Sequence, residues 1–254
     1  MKIVVASRYK DLYDWIATIP KLVADNSGEI LYDGRNKIMQ LKTPNGVNVV
    51  VKRYKRHDIF KQIVYSFFRP NKASRSFKNA IALQARGFNT PCEIAYIEDW
   101  SCGLLKQVYY VCEYTDNCAI RPELIEKEPF NRDLATAYAK YVAKLHDKGV
   151  LHRDLNPTNV LYRENATGYD FELIDINRMC FYEGEVPETE CMENLTLFWW
   201  LTDVYRYVLD VYAQSRGWTS EDIAKAVSVK QRHDRSWVRR KKFTGFLKHY
   251  ILRK

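Results

Sequence analysis

Apolar and polar residues alternate through several short stretches in the first half of the chain. Residues 28–41, Gly-Glu-Ile-Leu-Tyr-Asp-Gly-Arg-Asn-Lys-Ile-Met-Gln-Leu, predict two strands around a turn. Thr43-Pro44-Asn45-Gly46 predicts a hairpin, since Asn-Gly supplies the positive φ angles of a tight turn. Residues 47–52 follow as a third strand ending in Lys52, and residues 94–97 and 108–114 as two more. A second pattern repeats every 3.6 residues. Residues 7–16 predict a short helix with Ser7 as its cap. Residues 53–73 carry Ile59, Phe60, Ile63, Val64, Phe67 and Phe68 at helical spacing between basic residues, and Pro70 ends the run. They fit a helix packed on the small sheet or an amphipathic patch at a membrane surface. Residues 74–86 predict a helix stopped by Gly87. Residues 131–148 predict another, with Leu134, Tyr138, Tyr141, Val142 and Leu145 on one face and Gly149 closing it. His146 reads there as a packing or surface histidine. Residues 195–212 predict an aromatic helix, which Asp203, Arg206 and Asp210 make a buried helix and not a membrane anchor.

Composition narrows this only a little. The 254 residues are 46% hydrophobic and 28% charged, an ordinary globular balance. No window of eighteen apolar residues occurs, and the apolar run after Met1 is too short for a secretory signal. The six cysteines, Cys92, Cys102, Cys112, Cys118, Cys180 and Cys191, form no C-x-x-C pair. Free thiols in a reducing cytosol fit better than a disulfide frame or a zinc site.

Charge is more informative by position than by amount. Ten Lys/Arg and one Asp lie between Lys230 and Lys254, so this stretch holds the whole net charge of +9. A basic tail on a neutral body suits an anionic partner, whether phospholipid, lipopolysaccharide or nucleic acid.

The chemistry concentrates at residues 151–161, Leu-His-Arg-Asp-Leu-Asn-Pro-Thr-Asn-Val-Leu, and at 172–175, Glu-Leu-Ile-Asp. Asp154, Asn159 five positions on and Asp175 sixteen beyond that have the layout of a phosphoryl-transfer site. Such a site needs a carboxylate beside the attacking hydroxyl and oxygen ligands for the Mg²⁺ that bridges the phosphates. Asp154 fits the first role, Asn159 and Asp175 the second. Lys52, at the end of its strand, would meet the α/β-phosphates. Gly28 and Gly34 would bring backbone N–H groups near the phosphates, although no full G-x-G-x-x-G is present. Glu113 and Tyr114 end a strand where a hinge would offer backbone groups to adenine.

The run from His152 to Asn159 matches H-R-D-L-x-x-x-N, the catalytic loop of protein-kinase-like enzymes. Two departures stand out. Ser76 occupies the helix position where most kinases carry a Glu that pairs with the strand lysine, and Asp175 is followed by Ile-Asn-Arg with no A-P-E beyond. The second favours a compact kinase acting on a small molecule, sugar or lipid over a regulated protein kinase. With Lys52, residues 173–178 and the Gly87-x-x-Thr-Pro91 step, the chain resembles the lipopolysaccharide kinase family, over roughly residues 28–177. The resemblance implies a protein-kinase-like bilobal fold, with a small antiparallel-sheet N-lobe and a mainly helical C-lobe. It implies ATP and Mg²⁺ as cofactors. It also implies a sugar hydroxyl of the lipopolysaccharide inner core as acceptor, in the cytoplasm or at the inner face of the cytoplasmic membrane. The expected organisation is a leader over 1–27, N-lobe over 28–114, C-lobe over 115–229 and basic tail over 230–254. Two other readings remain open: a kinase of the same fold acting on a small molecule, protein or RNA-associated substrate, and a pseudokinase that binds a partner without transferring phosphate.

Overall fold

The structure is a computed structural model that describes residues 1–55, 64–66 and 69–251, with side chains as far as residue 242. Residues 56–63 and 67–68 of the amphipathic run expected over 53–73 therefore lie outside the described residues. The chain divides into two compact units, one of Met1–Asn117 with Glu172–Arg178, the other of Cys118–Phe171 with Met179–Lys254.

The first unit is built on a six-stranded sheet. Its strands are β1 (Lys2–Val5), β2 (Glu29–Asp33), β3 (Lys37–Lys42), β4 (Asn48–Arg53), β5 (Glu93–Ser101) and β6 (Leu104–Glu113), in the spatial order β1-β5-β6-β4-β3-β2. Every neighbouring pair is antiparallel. The period-2 pattern sorts its two faces. Val49 and Val51 of β4 are fully buried among Met39, Ile97 and Val111. Val50 and Lys52 point to the opposite face, where Tyr54, Tyr110 and Cys112 pack against Phe77.

A helix covers each face. Residues 1–27, expected as a leader, supply an edge strand and one of these covers. After β1 comes a 3₁₀ turn (Ser7–Leu12), then α1 (Tyr13–Ala24), so the helix starts six residues later than the pattern predicted. Ser7 makes no side-chain cap. Ile16, Ile19 and Val23, on one helical face, enter the Val49–Val51 core. Burying each of the two isoleucines is worth about 1.5–3 kcal/mol. The other cover is α2 (Lys72–Ala85), capped by Asn71, whose side chain accepts from the Ser74 N–H at 3.0 Å. Gly87 closes it with φ +78°, a conformation that favours glycine.

The second unit is mainly helical. It contains β7 (Cys118–Ala119), α3 (Arg132–Asp147), β8 (Val150–His152), β9 (Val160–Asn165) and the start of β10 (Gly168–Leu173). It continues through β11 (Met179–Phe181), α4 (Glu188–Leu195), α5 (Asp203–Arg216) and α6 (Ser220–Ile251). Asn131 caps α3 through the Leu134 N–H at 3.0 Å. Gly149 ends it at φ +67°, and a Cβ there would lie 2.3 Å from the Gly184 carbonyl oxygen, so only glycine fits.

Of the aromatic helix expected over 195–212, Leu195 ends α4, residues 196–202 are not helical and α5 begins at Asp203. The Thr196 hydroxyl donates to the Glu193 carbonyl at 2.6 Å, and the Lys230 ammonium donates to the Thr196 carbonyl at 3.1 Å. These bonds replace the next helical turn, and Phe198 turns inward to stack on Tyr138 at 5.1 Å. The basic tail also differs from expectation. Its residues 230–251 belong to α6, and that helix has a docked face: residues 223, 226, 227, 230, 233, 234 and 237 are buried or half-buried, a 3.6-residue period. Among the described residues no helix is long and apolar enough to cross a membrane.

Candidate active site

The predicted site residues fall in both units, and each group has its own geometry. In the first unit, the Lys52 ammonium donates to Asp175 Oδ1 at 2.7 Å. Asp175 belongs to this unit because residues 172–178 join it: Asn89 and Glu172 form a parallel bridge, and the Leu173 N–H donates to the Asn89 carbonyl at 3.0 Å. Asp175 has φ +54°, a left-handed conformation that a short polar side chain tolerates. Asn177 donates to the same Oδ1 at 2.6 Å. The Asn79 side chain on α2 donates to the Ile176 carbonyl at 2.7 Å, tying this turn to the helix.

The missing glutamate is accounted for here. Ser76 is buried and shares a hydrogen bond of 2.9 Å with the Tyr54 hydroxyl. Burial pushes that phenol well above its ordinary range, so it stays neutral. The acid beside Lys52 is Asp175, not a residue of the helix.

A group of cations around Lys72 escaped the sequence reading. Burial lowers the Lys72 pKa, Arg35 and Arg178 lower it further, and Asp175 acts in the opposite sense. Lys72 therefore stands in a positive field at the start of α2, suited to several phosphate oxygens. Lys72, Arg35 and Arg178 lie on three separate stretches of sequence, and no motif links them.

The glycine and hinge residues have close neighbours inside the unit. A Cβ on Gly28 would lie 2.3 Å from the Gln40 carbonyl oxygen, so close packing against β3 accounts for this glycine. Gly34 sits in the β2–β3 turn, its N–H donating to the Asn36 carbonyl at 3.2 Å. The Glu113 N–H donates to the Cys92 carbonyl at 2.9 Å and the Tyr114 N–H to the Asn48 carbonyl at 3.0 Å. Both amides are thus committed inside the unit, and the Glu113 carboxylate accepts from the Tyr9 hydroxyl.

In the second unit, the loop after β8 carries Asp154 and Asn159. The Asp154 N–H donates to His152 Nδ1 at 3.1 Å. Asn156 Nδ2 donates to Asp154 Oδ1 at 3.1 Å, and Asn159 Nδ2 donates to the Asp154 carbonyl at 2.9 Å. The last bond fixes the Asn159 amide so that its Oδ1 is left as an acceptor, the atom a hard cation takes. Below the loop runs a buried polar chain. Asn194 Nδ2 donates to the His152 carbonyl at 2.8 Å. Its Oδ1 then accepts from His146 Nε2 at 3.1 Å, and His146 Nδ1 accepts from the Tyr212 hydroxyl at 2.8 Å. Burial lowers the His146 pKa to about 4, so the ring is neutral near pH 7, as this tautomer requires. Sequence reasoning took His146 for packing; it braces the loop.

The chain leaves Arg178 for β11, which pairs antiparallel with β8, Met179 opposite His152. Only residues 182–187 then separate β11 from α4, in place of a long activation segment.

Residues 29–182 match the profile of the lipopolysaccharide kinase (Kdo/WaaP) family. The chain belongs to that family. The lipopolysaccharide kinase fold is protein-kinase-like and α+β: WaaP, solved in complex with acyl carrier protein, superposes with a TM-score of 0.63 over 93% of this chain and 99% of that one, at 18% identity. Among characterised relatives, the 3-deoxy-D-manno-octulosonic acid kinase of Vibrio vulnificus (strain YJ016) is 25% identical over 178 residues, 65% of this chain and 74% of its own. That of Haemophilus influenzae (strain PittGG) is 26% identical over 170 residues, 64% of this chain and 70% of its own. The KEOPS complex subunit Bud32 of Pyrococcus abyssi (strain GE5 / Orsay) is 26% identical over 145 residues, 52% of this chain and 64% of its own. This lipopolysaccharide kinase family member is a phosphotransferase with an alcohol group as acceptor.

Proposed function

We propose that the protein transfers the γ-phosphate of ATP to a hydroxyl of a lipopolysaccharide inner-core sugar, with a 3-deoxy-D-manno-octulosonic acid residue as the favoured acceptor. The observation that carries this reading is the loop at Asp154, where hydrogen bonds hold both the carboxylate and the Asn159 amide in fixed orientations. Asp154 orients the acceptor hydroxyl and takes its proton. Its contribution is mostly positional, since the transition state is loose. Lys52 contacts the phosphates, and Lys72 adds positive charge on the same unit.

Asn159 and Asp175 would hold Mg²⁺. The donor set fits: two oxygen ligands and no soft atoms, for a cation that takes its remaining ligands from water and substrate phosphates. Bound there, the metal would supply positive charge against the negative charge that develops in phosphoryl transfer. Among the described residues no three His, Cys, Asp or Glu side chains form a cluster of their own for a metal.

An acceptor of this class is an anionic glycolipid, so the reading puts the enzyme at the cytoplasmic face of the inner membrane. Exposed Arg232, Arg235, Arg239, Arg240, Lys241 and Lys242 on α6 suit that surface, at about 1 kcal/mol for each base that reaches it.

The test is phosphoryl transfer from ATP to a lipid A acceptor carrying 3-deoxy-D-manno-octulosonic acid. Asp154→Asn should lower kcat by about 10²–10⁴-fold, the usual range for a lost catalytic base, with nucleotide binding retained. Equal rates for the two proteins would remove the reading.

A further inference from the structure

A cleft of about 380 Å³ opens in the second unit against the residues that follow Asp154. This lies within the range of small-molecule sites. Its floor is Asn156, Pro157 and Thr158; its walls include Trp199, Trp200, Trp237 and Arg121. None of these four wall residues belongs to a motif, and the phosphoryl-transfer chemistry uses none of them.

Each wall element is held firmly. Phe198 is anchored in the core against Tyr138, fixing the backbone before the two tryptophans. The Lys230 ammonium sits behind them, buried, bonded to the Thr196 carbonyl and to Asp234 at 2.7 Å, and 5.9 Å from the Trp200 ring centroid. Trp200 and Trp237 meet edge to face at 4.7 Å, although Trp200 is 37% exposed. An exposed tryptophan braced by a second ring and a buried cation offers a flat apolar surface at small entropic cost. The C–H face of a pyranose ring fits such a surface.

Arg121 supplies the charge. Its guanidinium lies 5.1 Å from the Trp199 ring centroid, and its Nε donates to Glu126 at 2.7 Å. That arrangement leaves Nη1 and Nη2 for a second carboxylate, held in the planar fork that suits one. On the same cleft, Asn156 donates to Asp154 Oδ1 and accepts from the Thr158 N–H at 3.0 Å. The cleft therefore brings together a cationic fork, aromatic rings and the neighbours of the proposed base.

We infer that this cleft is the acceptor subsite and that it selects an acidic sugar. The carboxylate pairs with Arg121, the ring lies on Trp200, and a hydroxyl points toward Asp154. The inference rests on the kinase reading for what happens to that hydroxyl, but binding can be measured without transfer.

The experiment titrates the intrinsic tryptophan fluorescence of the full chain with the methyl glycoside of 3-deoxy-D-manno-octulosonate, using its methyl ester as the control. Wild type should show saturable binding to the acid, at least tenfold tighter than to the ester. Arg121→Met should bind acid and ester alike. Trp200→Ala should weaken both by about tenfold. Both positions are substantially exposed, and an unchanged melting temperature in each variant verifies the fold. No saturable signal from wild type, equal affinity for acid and ester, or variants that bind like wild type would each overturn the subsite. In parallel transfer assays, a wild type that binds the acid but transfers nothing upholds the subsite and removes the kinase reading. Transfer with an acceptor KM unchanged in both variants does the reverse.

Discussion

Ser76 shows how one departure from a motif is compensated locally. A glutamate there would need room and a cation in reach. Instead the position is 2% exposed, and its hydroxyl is bonded to the neutral Tyr54 phenol. Lys52 takes Asp175 as its acid. Ser76→Glu should therefore not restore anything: it forces a larger, charged side chain into a buried, packed position and should cost about 2–4 kcal/mol of stability. Chemical denaturation measures this, and a variant as stable as wild type with faster transfer would show that the site has room for the missing acid. The absence of the glutamate was legible in the sequence because motif spacing identifies the position. Its replacement was not, since Lys52 and Asp175 are 123 residues apart and only tertiary structure pairs them. Lys72, Arg35 and Arg178 were hidden for the same reason, and Gly28 looked like a phosphate glycine because sequence cannot separate close packing from close approach to a ligand.

At the level of elements, local period and local caps decided what could be read. β3, β4 and α3 were legible because alternation, an Asn-Gly turn, an Asn cap and a glycine stop all agree there. β1 was missed as a strand of the sheet, since a four-residue edge strand carries little pattern of its own. The break at 196–202 was missed because the bond that ends α4 comes from Lys230, 34 residues away. The buried chain Tyr212–His146–Asn194–His152 links α5, α3 and α4 to the Asp154 loop, and it makes a prediction about acid. His146 has an ordinary unfolded pKa of 6.5 and a folded value of about 4. Between those values the unfolded chain binds the extra proton. The contribution is therefore fully present above pH 6.5 and is lost as pH falls toward 4, by up to about 3 kcal/mol. Carboxylates titrate near the lower end of the same window, so the quantity to measure is the difference from His146→Phe. That variant should be less stable at pH 7 and lose less on acidification. Parallel stability–pH curves for the two proteins would rule the histidine out as the acid-sensitive brace.

For the whole molecule the net charge of +9 and the division into two units pose separate questions. Not all of the charge counted from Lys230 onward faces outward: Lys230 is buried and paired with Asp234, so the basic surface begins at Arg232. The kinase reading makes a stronger demand, because Asn159 belongs to one unit and Asp175 to the other, and the reading requires both to serve one metal–nucleotide complex. A double-mutant cycle on Mg²⁺–nucleotide affinity measures that requirement directly. Asn159→Ala and Asp175→Asn should each weaken binding of the metal complex. Metal-free nucleotide, which does not use these ligands, should be affected far less. If the two side chains share one ion, losing either already loosens it, and the double variant should be less impaired than the product of the two single effects. A coupling of about 0.5–3 kcal/mol is the range for groups that touch a common partner. Effects that multiply, leaving a coupling within the 0.3–0.5 kcal/mol scatter of independent sites, would mean that the two residues act apart, and the phosphoryl-transfer reading would fail with them.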